Sequence, residues 1–327
     1  MQVLAGDIGG TKTALAIYAQ RPAEGPAQRL VRAARYPSQG PGLLPIVRDF
    51  LSAGRESVRA AVFAVAGPVL ATRCELTNLG WQLDADDLTR ALGVPVALIN
   101  DFHGVALGVG TLADDQLEWF QPGERDPHGV VAVLGAGTGL GEAVLVPGPG
   151  GARVISGEGG HADLAPRDDL EIDLLRHLLA RHAHVSYERV LSGPGLVALY
   201  EFLVARGHAH ELPATRERMA QGDPAAVIGA LGVGGDDPAC VRAVELFAGL
   251  FGAEAGNLAL KTLPGGGLYL AGGVSLRLRP RLRAGFLAGF LAKGRMSGLL
   301  RRIPVALVLD PEVGLRGAAL AAAGLLA

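Results

Sequence analysis

LAGDIGGTKTALAIYA occupies residues 4–19, and VLGAGTGLGEAVLV occupies residues 133–146. Each is a short apolar run, a glycine-rich turn and a second apolar run. Placing Gly6 on Gly135 brings Leu15-Ala16-Ile17 onto Val144-Leu145-Val146. Apolar runs of this length read as strands, and two of them flanking a short glycine turn read as a hairpin. The same hairpin twice, each opening one half of the chain, predicts a duplicated two-domain protein with its ligand in a cleft between the domains.

Outward from the hairpins, further strand-like runs fall at Ala60–Ala66, Val96–Ile99, Leu268–Ala271 and Val305–Leu309. Helical periodicity lies between them, at Leu83–Leu92, His103–Thr111, Asp169–Arg181, Gly195–Ala205 and Gly314–Leu326. The segment Pro238–Lys261 is the clearest helix. Asp236 and Asp237 can cap it, and Pro238 suits a first turn. Strands alternating with helices predict an α/β fold with helix-covered sheets.

Bulk composition removes several function classes. A net charge of −2 over 327 residues gives no footprint for nucleic acid or for an anionic membrane. Cys74 and Cys240 match neither a disulfide framework nor a Cys-x-x-Cys metal pattern. The longest apolar segment, Val130–Pro147, is interrupted by glycines and by Glu142, unlike a membrane span. The N-terminus lacks a signal-peptide pattern, and the natural expectation is a soluble cytoplasmic protein without nucleic-acid or membrane partners.

Glycine turns after strands let backbone N–H groups approach phosphate. Two familiar loops of that kind fail here. A P-loop needs Gly-Lys-Ser/Thr, and no Gly-Lys dipeptide occurs. The dinucleotide fingerprint fails at 135–141, where Leu140 stands at the third glycine position and a strand follows instead of a helix. DIGGT (7–11) and GAGTG (135–139) remain, each with a threonine hydroxyl beside glycines. As a pair they favour phosphate over plain hairpin turns, with the Asp7 carboxylate suited to Mg²⁺ or its waters.

Polar residues at strand ends supply the other candidates. Asn100-Asp101 closes the buried-type run VALI, where ligands collect in α/β folds; Asp101 could equally cap the helix that follows. SGEGGHADLAP (156–166) crowds Glu158, His161 and Asp163 around glycines, as in a loop folded tightly against something. That set lacks a fourth metal ligand; it reads either as a hydroxyl-reading site or as a buried histidine with ordinary partners. Glu188 in SYERVLSGPG reads as a surface glutamate at a helix start. Ala271-Gly272-Gly273 ends a strand where a nucleobase could pack on backbone, or where the chain simply turns into a helix.

Taken in order, GDIGGTK (6–12), VAGPV (65–69), LTNLGW (76–81), LINDF (98–102), GAGTGLG (135–141), GEGGHAD (157–163), ERVLSGPGL (188–196) and YLAGGV (269–274) span nearly the whole chain. This set resembles the bacterial ATP-dependent glucokinases of the hexokinase/actin-like superfamily, in the group without the zinc motif. LINDF, GEGGH and ERVLSGPGL together make the resemblance specific. Lys12 departs from it, standing where the group often carries Asn.

The resemblance implies an actin-like, ribonuclease H-like fold. It places residues 1–110 with 303–327 in a small α/β domain and 111–302 in a large one. It implies ATP and Mg²⁺ as cofactors, glucose as substrate, and a homodimer. Asp101 would be the catalytic base on the sugar 6-hydroxyl. Asn100, Asp101, Glu158, His161 and Glu188 would bind the sugar. Asp7, Gly9, Gly10, Thr11, Lys12, Gly137 and Thr138 would clasp the phosphates, with Asp7 holding Mg²⁺ through water, and Gly272 and Gly273 would neighbour the adenosine. The rivals are a kinase for mannose, fructose or an N-acetyl amino sugar, and a non-catalytic sugar sensor. The sensor is disfavoured because Met1 leads straight into the first strand, with no DNA-binding region before it.

Overall fold

The computed structural model describes residues 1–20, 28–76, 79–149 and 151–326; Thr77 and Asn78 of LTNLGW lie outside that set. The chain forms two compact units. One comprises Met1–Gln116, Ala152–Ser156 and Asp310–Ala327, the other Leu117–Gly151 and Gly157–Leu309.

In the first unit, β1 (Gln2–Ile8) and β2 (Lys12–Gln20) form the expected antiparallel hairpin, with Ile8 opposite Thr13. β3 (Gln28–Pro37) extends it, α1 (Leu43–Ser52) crosses over, and β4 (Ala61–Val65) returns parallel to β1. A small sheet of β5 (Val69–Leu70), β6 (Arg73–Leu76) and β7 (Trp81–Asp84) leads into α2 (Ala85–Leu92). β8 (Val96–Asn100) then pairs parallel with β4. The sheet order is β3-β2-β1-β4-β8. β1 buries both faces: Leu4 and Ile8 enter one core with Phe50 and Phe63, while Val3 and Ala5 enter another. Alternate residues of a strand point to opposite faces, so a strand covered on both sides is apolar throughout.

α3 (Asp101–Val109) follows β8, and α11 (Val313–Gly324) supplies alanines 318, 319 and 322 to the second core. α3 and α11 pack with their backbones nearly touching. A Cβ on Gly317 would overlap the Gly104 carbonyl, so only glycine permits this approach.

The second unit repeats the plan. β9 (Leu117–Gln121) precedes the hairpin of β10 (Val131–Ala136) and β11 (Leu140–Val146); β12 (Arg153–Gly157), grouped with the first unit up to Ser156, follows in the chain. After α4 (Asp169–Leu179), α5 (Gly193–Ala205), α6 (Pro213–Gln221), α7 (Pro224–Gly234) and α8 (Pro238–Thr262), β13 (Gly267–Ala271) lies parallel to β10. α9 (Gly273–Leu291) and α10 (Ser297–Leu300) precede β14 (Val305–Val308). The order is β12-β11-β10-β13-β14-β9, the first sheet's order with one added antiparallel edge. Gly6 pairs with Phe63 across the first sheet, and Gly135 pairs with Ala271 at the matching place in the second. The duplication read from the glycine turns is therefore a duplication of topology.

α8 is the one described helix long and apolar enough to cross a membrane, and 72% of its apolar window is buried in this unit's core. Asp237 caps it, accepting from Cys240 N at 2.9 Å, and Pro238 opens the first turn.

Some boundaries differ from the sequence reading. β8 buries only Leu98, because it is the sheet's edge strand and lacks a neighbour on one side. α2 starts at Ala85, since Leu83 belongs to β7 and Asp84 provides the cap. α3 starts at Asp101, not at His103. The two compact units change over at Gln116 and Asp310, and β14 places Val305 and Leu307 in the core of the second.

Candidate active site

In the first unit, parallel pairing of β1, β4 and β8 aligns Ile8 with Val65 and Val65 with Asn100. The carboxyl ends of these strands thus gather Asp7, Gly67, Asn100 and Asp101. Asn100 is the cap of α3. Its backbone is extended, and its Oδ1 accepts from Phe102 N at 2.9 Å and His103 N at 3.3 Å. Its Nδ2 donates to the Gly67 carbonyl at 3.3 Å. The cap expected as an alternative for Asp101 belongs to its neighbour. Asp101 is the first helical residue, and its Oδ1 accepts from Phe102 N at 2.9 Å, which orients a half-buried carboxylate.

The DIGGT turn lies beside this edge. Gly9 N donates to the Lys12 carbonyl at 2.9 Å, and Gly10, Thr11 and Lys12 are exposed. Beneath them, Ser38 Oγ donates to the Gly9 carbonyl at 2.7 Å and lies 2.9 Å from Thr13 Oγ1. Burial, and then the Glu312 charge, push the Asp7 carboxyl up to about 6. No group of three or more metal-ligating side chains occurs among the described residues. A single carboxylate suits Mg²⁺, which keeps most of its waters and takes its other ligands from phosphate. A cation would also relieve the cost of ionising Asp7.

In the second unit three sequence motifs meet. His161 Nε2 lies 3.9 Å from Glu158 Oε2 and 3.9 Å from Glu188 Oε1. The His161 side chain is 58% exposed, so it is not the buried histidine considered as an alternative. Glu188 lies on a 3-10 turn, and its Oε2 accepts from Leu140 N at 2.9 Å. Asp163 turns away to His184 Nε2, 2.9 Å distant. What GEGGH folds against is β11: a Cβ on Gly160 would overlap the Leu140 carbonyl. The phosphate-type tip is tied to the same assembly, since Gly193 N donates to the Gly137 carbonyl at 2.9 Å. Ser192 caps α5 there, accepting from Gly195 N at 3.0 Å. Thr138 is exposed, and a Cβ on Gly137 would meet nothing within 4 Å.

Gly272 and Gly273 divide the work at the end of β13. Gly272 has φ +93° and crosses Ala136 where a Cβ would overlap the backbone. Gly273 is exposed over open space at the start of α9.

A family model described as Glucokinase matches residues 4–325. The chain belongs to the glucokinase family. It is 42% identical over 339 residues to the glucokinase of Nostoc punctiforme, covering 99% of each chain. Among solved structures, the glucokinase of an Antarctic psychrotroph superposes with a TM-score of 0.82 at 33% identity, covering 99% of each. The ROK family glucokinase of Streptomyces griseus, solved with glucose and AMPPNP, shares the fold at 23% identity and a TM-score of 0.68, covering 99% of this chain and 100% of that one.

Against this glucokinase-family background, several supporting residues escaped the sequence reading. Ser38 and Thr13 stand 25 positions apart and meet only through the β2–β3 pairing. Glu312, near the far end of the chain, acts on Asp7 through its charge. Glu142 did carry a signal, a lone carboxylate inside an apolar strand, but the sequence offered it no partner.

Proposed function

We propose that the protein is an ATP-dependent glucokinase, moving the γ-phosphoryl group of ATP to the 6-hydroxyl of D-glucose. The observation that carries this reading is the Glu158–His161–Glu188 cluster, with Glu158 and His161 exposed and Glu188 half-buried, in a chain that also presents an oriented carboxylate at Asp101. Carboxylates and imidazole can accept from, and imidazole donate to, adjacent sugar hydroxyls. The sugar-reading groups on this reading are Asn100 and Asp101 in the first unit and Glu158, His161 and Glu188 in the second, each unit carrying its own set.

Phosphoryl transfer asks a protein mainly for positioning and charge stabilisation. Asp101 accepts the 6-hydroxyl proton as the oxygen–phosphorus bond forms and the bond to the ADP oxygen breaks. The turn at 9–12 in the first unit and the turn at 137–138 in the second each offer backbone N–H groups suited to phosphate, and Gly272 and Gly273 would neighbour the adenosine. Mg²⁺ beside Asp7 would neutralise developing phosphate charge. The family resemblance also implies a cytoplasmic homodimer; light scattering at the mass of two chains checks the oligomer.

A coupled assay with glucose and Mg·ATP is the test. Turnover with glucose well above mannose, fructose and N-acetylglucosamine supports the reading. Glucose binding in a thermal-shift experiment without turnover overturns it in favour of a sensor.

A further inference from the structure

Beneath the sugar-reading loop lies a second acidic pair that the catalytic reading does not use. Glu142, on β11, is 8% exposed, and Glu254, on α8, is 1% exposed. The Glu142 carboxyl presses on Gly159, where a Cβ would overlap Oε2. Gly159 stands between Glu158 and the residues Gly160 and His161. Glu142 Oε1 is fully buried and has no hydrogen-bond partner among the described residues. The Glu254 charge acts on Glu142. Glu254 Oε2 accepts from Asn257 Nδ2 at 2.9 Å, and the same amide donates to Tyr187 Oη at 3.0 Å. Tyr187 precedes Glu188, so the buried network touches the sugar cluster from two sides.

We propose that Glu142 is a positioning residue for the sugar site: as a carboxylic acid paired with the Glu254 carboxylate, it seats Gly159 and thereby holds Glu158 and His161 in place. The proposal rests on the glucokinase reading and deepens it. Two buried carboxylates side by side cannot both ionise cheaply, so one proton belongs to the pair. Burial first, then the Glu254 charge, push Glu142 up to about 7, while burial also raises Glu254. Lys261 pulls both groups down, and Lys293 pulls Glu254 down. Arg167 and Glu171 act one step further out, on Lys293, and Glu158 and His161 flank the loop itself. When the shared proton leaves, like-charge repulsion pushes the Glu142 carboxylate against Gly159 and the loop loses its seat.

The test is the pH profile of the Michaelis constant for glucose in the wild type and in Glu142→Gln, which keeps the shape and cannot ionise. The wild-type KM is expected to rise roughly fivefold between pH 6 and 8.5, the lower end of site-to-site couplings, with kcat changing less. Glu142→Gln is expected to remove most of that rise. Because Glu158 and His161 are themselves titratable, the readout is the difference between the two proteins. Glu254→Gln should flatten the profile in the same way. A folded Glu142→Gln protein with the wild-type KM profile overturns the proposal. If both variants fail to fold, carboxyl ¹³C titration of glutamate-labelled wild type decides: a Glu142 signal that titrates wholly below pH 5.5 overturns it, and one that titrates near neutrality supports it. No turnover by the wild type would instead remove the glucokinase reading itself.

Discussion

Asn100→Ala and Asp101→Asn separate two jobs that adjacent residues perform. Asn100 caps α3 and ties its amide to Gly67. Its replacement by alanine is expected to cost about 1 kcal/mol of stability, seen as a lower Tm, and to weaken glucose binding. Asp101 is not the cap residue of α3, and the bond its side chain accepts from Phe102 N can also be accepted by an amide oxygen. Its amide variant should melt within a degree or two of the wild type and lose about 10²–10⁴ in kcat, the range for a removed general base. Near-normal kcat in Asp101→Asn would exclude it as the base. From the sequence, either residue of the Asn-Asp pair could have been the cap, since both types accept from backbone N–H groups. Only the backbone decides between them: Asn100 is extended, with φ −63° and ψ 150°, and Asp101 is already helical.

At the scale of elements, glycine punctuation made the hairpins legible, and pairing across long stretches of chain stayed hidden. β3 follows residues outside the described set, and its alternation of arginine with Leu, Val and Ala resembles a solvated segment until β2 is placed beside it. α9 contains Pro280 amid arginines, which masks a helix whose Leu278, Leu282 and Phe286 are nevertheless buried. The pin under the first phosphate turn is of this hidden kind. Ser38→Ala removes the bond to the Gly9 carbonyl and leaves the buried Thr13 hydroxyl without that partner. The expected cost is about 1–3 kcal/mol. Its functional signature is a raised KM for Mg·ATP with the KM for glucose little changed, because the turn at 9–12 serves the phosphates. Equal rises in both constants would mean that Ser38 supports the unit as a whole. Gly317→Leu tests the other close approach. It should force α11 off α3 and lower Tm by several degrees, since the overlap is with backbone and no rotamer relieves it.

Across the whole molecule, buried carboxyls set how stability depends on pH. Burial raises Asp7 to about 6 and Glu142 to about 7, and it raises Glu254 as well, so each holds its proton more tightly folded than unfolded. Between the unfolded carboxyl range and these raised values, the folded chain binds more protons than the unfolded one. Stability from these groups is therefore complete below about pH 4 and falls as pH rises to about 7. His103 runs the other way: burial lowers its proton affinity, so folding favours its neutral form and gains as pH rises towards the ordinary histidine range. Carboxyls of depressed pKa, such as Asp173 beside Arg206, matter only at lower pH, where their contribution is lost as they protonate. Because these trends overlap, the decisive measurement compares proteins instead of reading one curve. Thermal melts from pH 5 to 8.5 should show the wild type losing Tm towards the alkaline end. Glu142→Gln should lose less over the same interval, because an amide has no proton to give up. If the two curves run parallel, Glu142 is ionised throughout, and the buried pair is held by Lys261 and Lys293 instead of by a shared proton.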